Sequence, residues 1–484
     1  MTLDAGIGAN SASGSYDIDN SCKFEADNSE YLYKTPSSAG NRKTWTFSAW
    51  VKRSEITATA NATGNQHMVF SSGDTYLQFD GNAIWINHRY GGSGNLFMGT
   101  NRVFRDTSAW YHIVWQLDTT ESTAADRAKL WINGVRETSF VNSTYTNMSQ
   151  NYMAGINNTD EHEVGKYSLH DTTYASMFNG YMAEIHLVDG TALTPTAFGK
   201  FNLDGMWEAK QYTGAYGTNG FYLDFKNSSN LGEDQSGNNN DWTLNNLAAA
   251  DQAIDSPTNN FCVLNNNAKT NGNIIAEQGG TYVDVDGGSG WVSMLATHGV
   301  ASGKWYWEGW FENNSDAVYV FWGICAANDP WIPHRSGGYY LGNVATGGSL
   351  GWYGLNGQVY NGTGSWPGIT YSAKLMFALD CDNGKLYFGA NGTWGNSSNP
   401  ATNTNGINYV SAMSGINPAD EFILPALSVY QGCRSRINFG GFPPQGGGFS
   451  IASAASDANG YGTFEYAPPS GYYAICTKNI AEYG

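Results

Sequence analysis

At 484 residues the chain exceeds the size at which one hydrophobic core normally divides, so two or three domains are expected. Hydrophobic residues make up 41% and charged ones 14%, well under the usual ~25%, while Gly 60, Trp 17, Tyr 30 and Phe 22 point to short strands and tight turns. The formal charge of −18 repels phosphate backbones and anionic lipid, which excludes nucleic acid and membrane as expected partners, and no apolar run reaches the roughly 18 residues of a membrane span.

The first residues, Met1-Thr2-Leu3-Asp4-Ala5-Gly6, lack the basic region and apolar core of a secretion signal, so folding in a cytoplasm is expected. From about Asp17 to Phe201 the chain alternates large with small or polar residues, the period of half-buried strands. Thr44–Lys52, Trp110–Asp118 and Gly180–Val188 each read this way. Lys129–Val135 places Asn133-Gly134 between strands, and a type I′ hairpin needs positive φ at both positions. Thr191–Pro195 reads as a turn leading into a short helix. Residues 206–262 read as a bridge: a strand-like Gly220–Phe225, a polar turn cluster at Asp234–Trp242, and too little else to build a sandwich. In 263–445, Gly303–Trp310 is an aromatic strand, and Ala378–Gly392 reads as strand, Asn-Gly turn, strand, Asn-Gly turn. Residues 446–484 form a tail expected to pack on this second domain.

The ordered set FSAWVKR, WYHIVWQLD, KLWINGV and FNGYMAEIHLVDGTALTPTAFG, within 1–205, resembles the laminin-G-like, concanavalin-type jelly roll. In the second block, Gly303–Trp310, Ala378–Gly392, Leu424–Tyr430 and Arg436–Gly440 resemble the SPRY pattern of GKYYWEV, LDLDNGKLYFSKNG, PAVSLY and NFG in order and spacing. The resemblance implies an all-β fold of two concanavalin A-like β-sandwich (jelly-roll) domains joined by a short bridging segment. Together with NGFYLDF, DSPTNNF (Asp255 to Phe261) and the AICTKNI tail, the arrangement resembles structural proteins of tailed bacteriophages, notably marine ones.

Catalytic motifs are missing from the sequence. No E-x-D-x-E pair, G-x-S-x-G elbow, HExxH or P-loop occurs, and Glu184-Ile185-His186 lacks partners for glycoside hydrolysis. The six cysteines, with no CxxC pair, read as reduced core thiols. Asp80, in Phe79-Asp80-Gly81-Asn82, is the calcium candidate because hard cations take oxygen ligands, although Asp-Gly is read first as a hairpin turn. Asp284-Val285-Asp286-Gly287 carries the same ambiguity, whereas Asp380, Asp382 and Asn383 read as a turn. No other cofactor is implied. Trp331, His334, Arg335, Tyr339, Tyr340, Trp352, Tyr353, Tyr360 and Trp366 crowd one Gly-rich stretch. Aromatic faces of this kind stack on sugars or anchor protein interfaces. Trp331, His334, Arg335, Tyr339, Tyr340 and Trp366 are therefore the candidate ligand-binding residues, joined by His88, Arg89 and Tyr90 in the first block; core packing is the competing reading. The phage resemblance implies a non-catalytic virion protein assembled in the host cytoplasm and present in several copies. Its expected partners are other capsid or tail proteins and a host surface glycan or protein. A decoration protein and a polysaccharide depolymerase are the alternatives.

Overall fold

The computed structural model describes residues 16–56, 66–88, 96–143, 148–167, 176–270, 274–285, 290–313, 318–329, 339–343, 347–361, 366, 373–413, 417, 421–446 and 449–484. The fold is all-β: the α-helices among these residues are the short Tyr409–Ala412 and Thr477–Tyr483. The chain divides into two units, Ser13–Thr258 and Asn259–Gly484, each described by itself.

In the first unit one sheet runs, in spatial order, Val135–Arg136, Ala128–Ile132, Trp110–Asp118, Thr44–Arg53, Gly180–Asp189, Ser21–Phe24 and Gln252–Ala253, with Phe221–Leu223 also pairing Gly180–Asp189. The other sheet runs Phe140–Ser143, Leu96–Thr100, Ala83–His88, Thr75–Asp80, Gln66–Ser72, His162–Val164, Tyr31–Lys34 and Thr243–Asn245. One core takes side chains from both sheets, among them Phe47, Ala49 and Val51 against Phe70, Leu77 and Ile86. Alternation along Thr44–Arg53 puts those three inward, as the period of 2 requires. The hairpin at Asn133-Gly134 has φ 49 and 77, the two left-handed residues that its turn demands. Gly134 also answers to packing, because a Cβ there would lie 2.2 Å from the Trp207 ring.

Two differences from the sequence reading share one cause. Thr44–Arg53 is buried on both faces rather than half-buried. Its second face is covered by residues after 190: Thr46 Oγ1 donates to the Thr191 carbonyl, and Lys52 pairs with Asp255. The segment 206–262 is accordingly not a bridge up to Thr258. It supplies Phe221–Leu223 and Gln252–Ala253 to one sheet and Thr243–Asn245 to the other. Sequence periodicity missed this because each added strand spans two or three residues, too short to show a period. The polar cluster at Asp234 holds the segment in shape. Asp234 accepts from the amides of Tyr222, Ser236 and Asn240, and Asn238 and Asn240 both donate to the Gly220 carbonyl.

The second unit has a six-stranded sheet, Leu264–Lys269, Trp291–Ala296, Ile423–Tyr430, Val320–Ala326, Ser349–Tyr353 and Val359–Tyr360. It faces a larger sheet ordered Ile275–Glu277, Tyr282–Asp284, Cys433–Asn438, Lys304–Asn313, Lys374–Asp380, Lys385–Ala390 and Thr393–Trp394. Their shared core includes Trp305, Trp307, Trp322, Trp352 and Trp366. The C-terminal stretch is sewn into this unit. Tyr473–Ala474 runs parallel to Lys304–Asn313, and buried Glu308 accepts from the amides of Glu465 and Tyr466. All six cysteines are free thiols, five of them buried and Cys381 half-buried.

Candidate functional site

The six-stranded sheet carries large side chains on both faces. Val292, Met294, Val320, Trp322, Ile324, Trp352, Leu427 and Val429 enter the main core. The alternate positions Trp291, Leu295, Phe321, Cys325, Tyr353, Leu424 and Ala426 point the other way and form a second cluster. Strand pairing sets ring against ring there, since Trp291 lies opposite Tyr430 and Phe321 opposite Tyr353.

A short segment is laid across this outer face. Ser293 Oγ donates to the Tyr339 carbonyl at 2.9 Å, and the Leu341 amide donates to Ser428 Oγ at 3.0 Å. The approach needs a glycine beneath it: a Cβ on Gly351 would stand 2.7 Å from the Leu341 Cβ. Pinned this way, Tyr340 stacks on Phe321 at 4.6 Å and 13°, and Tyr353 stacks on Phe321 with the same distance and angle. Tyr360 stands edge-on to Phe321, Tyr340 and Tyr353 at 89°, 82° and 89°. Trp291 meets Phe321 at 5.0 Å and Tyr430 at 5.4 Å, and Tyr430 meets Tyr319 at 5.6 Å. Phe321 is buried, at 1% exposure, and the six rings around it are half-buried.

The hydroxyls of Tyr319, Tyr340, Tyr353, Tyr360 and Tyr430 take no hydrogen-bond partner among the described residues. Burial pushes the Tyr353 phenol up to about 12, with Tyr319 and Tyr360 adding to it, and burial raises Tyr340 as well. Both therefore keep their protons at neutral pH. No Asp, Glu, Lys or Arg lies on Trp291–Ala296, Val320–Ala326, Ser349–Tyr353, Val359–Tyr360 or Ile423–Tyr430. Among the described residues this face is thus aromatic and rimmed with hydroxyls, each able to donate and accept, and the buried Asp329 carboxyl accepts from its Cys325.

The first unit has an aromatic cluster with the opposite character. Tyr16 and Tyr222 donate to Glu184 Oε2 and Oε1 at 2.8 and 2.6 Å. The Tyr216 hydroxyl lies 2.9 Å from His186 Nδ1, and Tyr212 donates to the Ala215 carbonyl. These rings, with Phe198, are a packing layer whose polar ends are satisfied internally. The two phenols take up both oxygens of Glu184, and His186 Nε2 lies 3.6 Å from Oε2. Asp224, pushed up chiefly by burial, feels Glu184 as a lesser influence. Ser48 and His112, 2.9 Å apart, do not make a nucleophile and base. Trp207 Nε1 donates to His112 Nδ1, which leaves the ring proton on Nε2 pointing at the serine, and burial drives the imidazole down to about 3.

Of the residues singled out from sequence, Tyr339 and Tyr340 lie on this face. Trp331, His334, Arg335, Arg89 and Tyr90 fall outside the described residues. Trp366 is 1% exposed and edge-on to Phe388, so its ring is core. His88 is fully buried against Trp45 and Trp115, and burial drives it down to about 3, so it is a neutral core ring rather than a ligand-facing one. Asp80 ends a strand at the Gly81-Asn82 hairpin turn, buried at 4%. Among the described residues no group of three or more His, Cys, Asp or Glu could hold a metal ion. Asp284 pairs with Arg434 at 2.7 Å, and Asp380 accepts from Asn383 in a turn and pairs with Lys304. Trp291, Tyr319 and Tyr430 were missed because each sits at or just outside a strand end, where alternation is hardest to read.

Several solved structures are similar to the chain. The SPRY domain of human HERC1 is 18% identical, with a TM-score of 0.27 over 36% of this chain and 96% of that one. A candidate carbohydrate-binding protein from Bacteroides ovatus is 14% identical, with a TM-score of 0.31 over 48% of this chain and 59% of that one. The native heptameric SAP-like pentraxin from Limulus polyphemus is 14% identical, with a TM-score of 0.27 over 37% and 80%. No curated protein matches the sequence. Residues 27–197, within the first unit, match the concanavalin A-like lectin/glucanases superfamily.

Proposed function

We propose that this chain is a non-catalytic recognition protein on the surface of a tailed-phage virion, where it holds a host surface glycan or protein against the outer ring face of its second unit. The observation that carries this reading is the contrast between the two aromatic clusters. The tyrosines around Glu184 have their hydroxyls satisfied; those of Tyr319, Tyr340, Tyr353, Tyr360 and Tyr430 take no partner among the described residues. Half-buried rings whose phenols are open to solvent present both an apolar surface and exchangeable hydrogen-bonding groups, which suits a partner. The match of residues 27–197 to the concanavalin A-like lectin/glucanases superfamily supports a binding role. The order of sequence blocks supports the virion setting, with several copies attached to other capsid or tail proteins. The test is retention of the purified full chain on host envelope material, together with its detection in purified particles. Absence from particles would remove the virion part of the proposal; failure to bind any envelope material would remove the recognition part.

A decoration role is favoured by one feature. The hairpin Gly199–Phe201 to Trp207–Ala209 exposes Phe201 at 51% and Leu203 fully, an apolar tip suited to a protein lattice. A particle reconstruction showing regular copies seated through that tip, with the ring face unused, would favour this role.

A further inference from the structure

We infer that the occupant of the ring face is an uncharged saccharide, one or more pyranose-sized rings lying on the Phe321 stack. This rests on the recognition reading above and narrows it from glycan or protein to neutral glycan. A sugar ring has a C–H face that is apolar and a rim of hydroxyls, so its complement is a flat aromatic floor bordered by small groups that both donate and accept. The outer face supplies both. Tyr340 and Tyr353 lie within 13° of parallel to Phe321 and stack on it, and Tyr360 stands across the stack at 89° to Phe321, so the half-buried Tyr340, Tyr353 and Tyr360 give the aromatic surface. Their hydroxyls, with those of Tyr319 and Tyr430, make the border.

Charge selects among glycans. Uronic acids and sulfated sugars are held by Arg or Lys, whose charged donors suit carboxylate and sulfate. Among the described residues five of the six strands carry neither, the sixth ends at Lys269, whose Nζ donates to the Ile274 carbonyl, and the chain as a whole stands at −18, which disfavours a polyanion. The ring cluster is also set in advance: the backbone of Tyr339–Leu341 is tied to Ser293 and Ser428, so little chain freedom is lost on binding.

Affinity electrophoresis and calorimetric titration of the full chain against dextran and laminarin (neutral), alginate and hyaluronan (acidic), and a bacterial envelope preparation before and after proteinase digestion test this. The expected result is binding to a neutral polymer or to the digested envelope, little changed by salt. Tyr360→Ala should weaken it roughly tenfold, about 1.4 kcal/mol. The triple variant Tyr340→Phe, Tyr353→Phe, Tyr360→Phe keeps the rings and loses the border, and should also weaken binding while keeping the wild-type thermal transition. Tighter, salt-sensitive binding to the acidic polymers overturns the inference but leaves recognition standing. Binding that vanishes with proteinase digestion does the same, since the partner is then a protein. No binding to any of these overturns both.

Discussion

A buried ion pair gives a direct test of how residues 206–258 join the first sandwich. Lys52 Nζ lies 2.7 Å from Asp255 Oδ2, with both side chains 1% exposed, and Trp110 Nε1 donates to Asp255 Oδ1 at 3.1 Å. Asp255→Ala takes the carboxylate from an ammonium that stays out of water and strands an indole donor. Removing one member of a buried pair costs about 3–5 kcal/mol. For a unit of this size each kcal/mol moves the midpoint by about 2–4 °C, so the first thermal transition should fall by roughly 6–20 °C. Differential scanning calorimetry of the full chain reads this directly, and the transition of the second unit should not move. The swap Lys52→Met with Asp255→Leu removes both charges together and should recover most of the loss, because the penalty comes from the uncompensated ion. A fall of less than about 1 kcal/mol for Asp255→Ala would refute the reasoning, since that is the scale of an exposed pair.

Three further outcomes follow from other parts of the structure. The Glu308 carboxyl, pushed from 4.5 up to about 7 mainly by burial, favours its protonated form when folded. The stability this lends is complete below about pH 4.5 and is lost as pH rises through about 7, on the order of 3 kcal/mol in all. Urea unfolding across that range should show the second unit weakening, and Glu308→Gln should flatten the slope; an unchanged slope contradicts the assignment. Gly134→Ala forces a side chain into φ 77 and against the Trp207 ring, and should cost about 2–4 kcal/mol in thermal unfolding of the first unit, whereas a neutral result would mean that the hairpin is not held there. Ser428→Ala removes the acceptor of the Leu341 amide, so hydrogen exchange at that amide should speed up by about tenfold or more while the core amides of Ile423–Tyr430 stay protected. Equal acceleration throughout would show that the serine holds the sheet and not the segment.

Much of the fold was legible because its signals are local. Asn133-Gly134 announces its hairpin through the one dipeptide that tolerates two left-handed residues, and the alternation of Thr44–Arg53 and Gly180–Asp189 identifies the central strands of the first unit. What covers those strands was not legible. Whether Lys52 and Ser48 face water or a second layer depends on Asp255 and Trp207, far along the chain, and no periodicity links such positions. The candidate site divides the same way. Composition picked out the aromatic stretch in which Tyr340 lies, but it could not separate Trp366, a core ring, from Tyr353 and Tyr360, whose hydroxyls take no partner among the described residues. That distinction rests on the side of the sheet to which each residue points. Trp291 and Tyr430 become neighbours through antiparallel pairing across 139 positions, a contact that register alone creates.

Hydroxyl-radical footprinting of the full chain, alone and with host envelope material, bears most directly on where a partner is held. Oxidation labels exposed Trp, Tyr, Phe and Leu side chains, so the ring face and the hairpin tip are read in one experiment. The account predicts reduced labelling at Trp291, Tyr340, Tyr353 and Tyr360, with Phe201 and Leu203 labelled as in the free chain. Unchanged labelling of those four rings beside protection at Phe201 and Leu203 would contradict it.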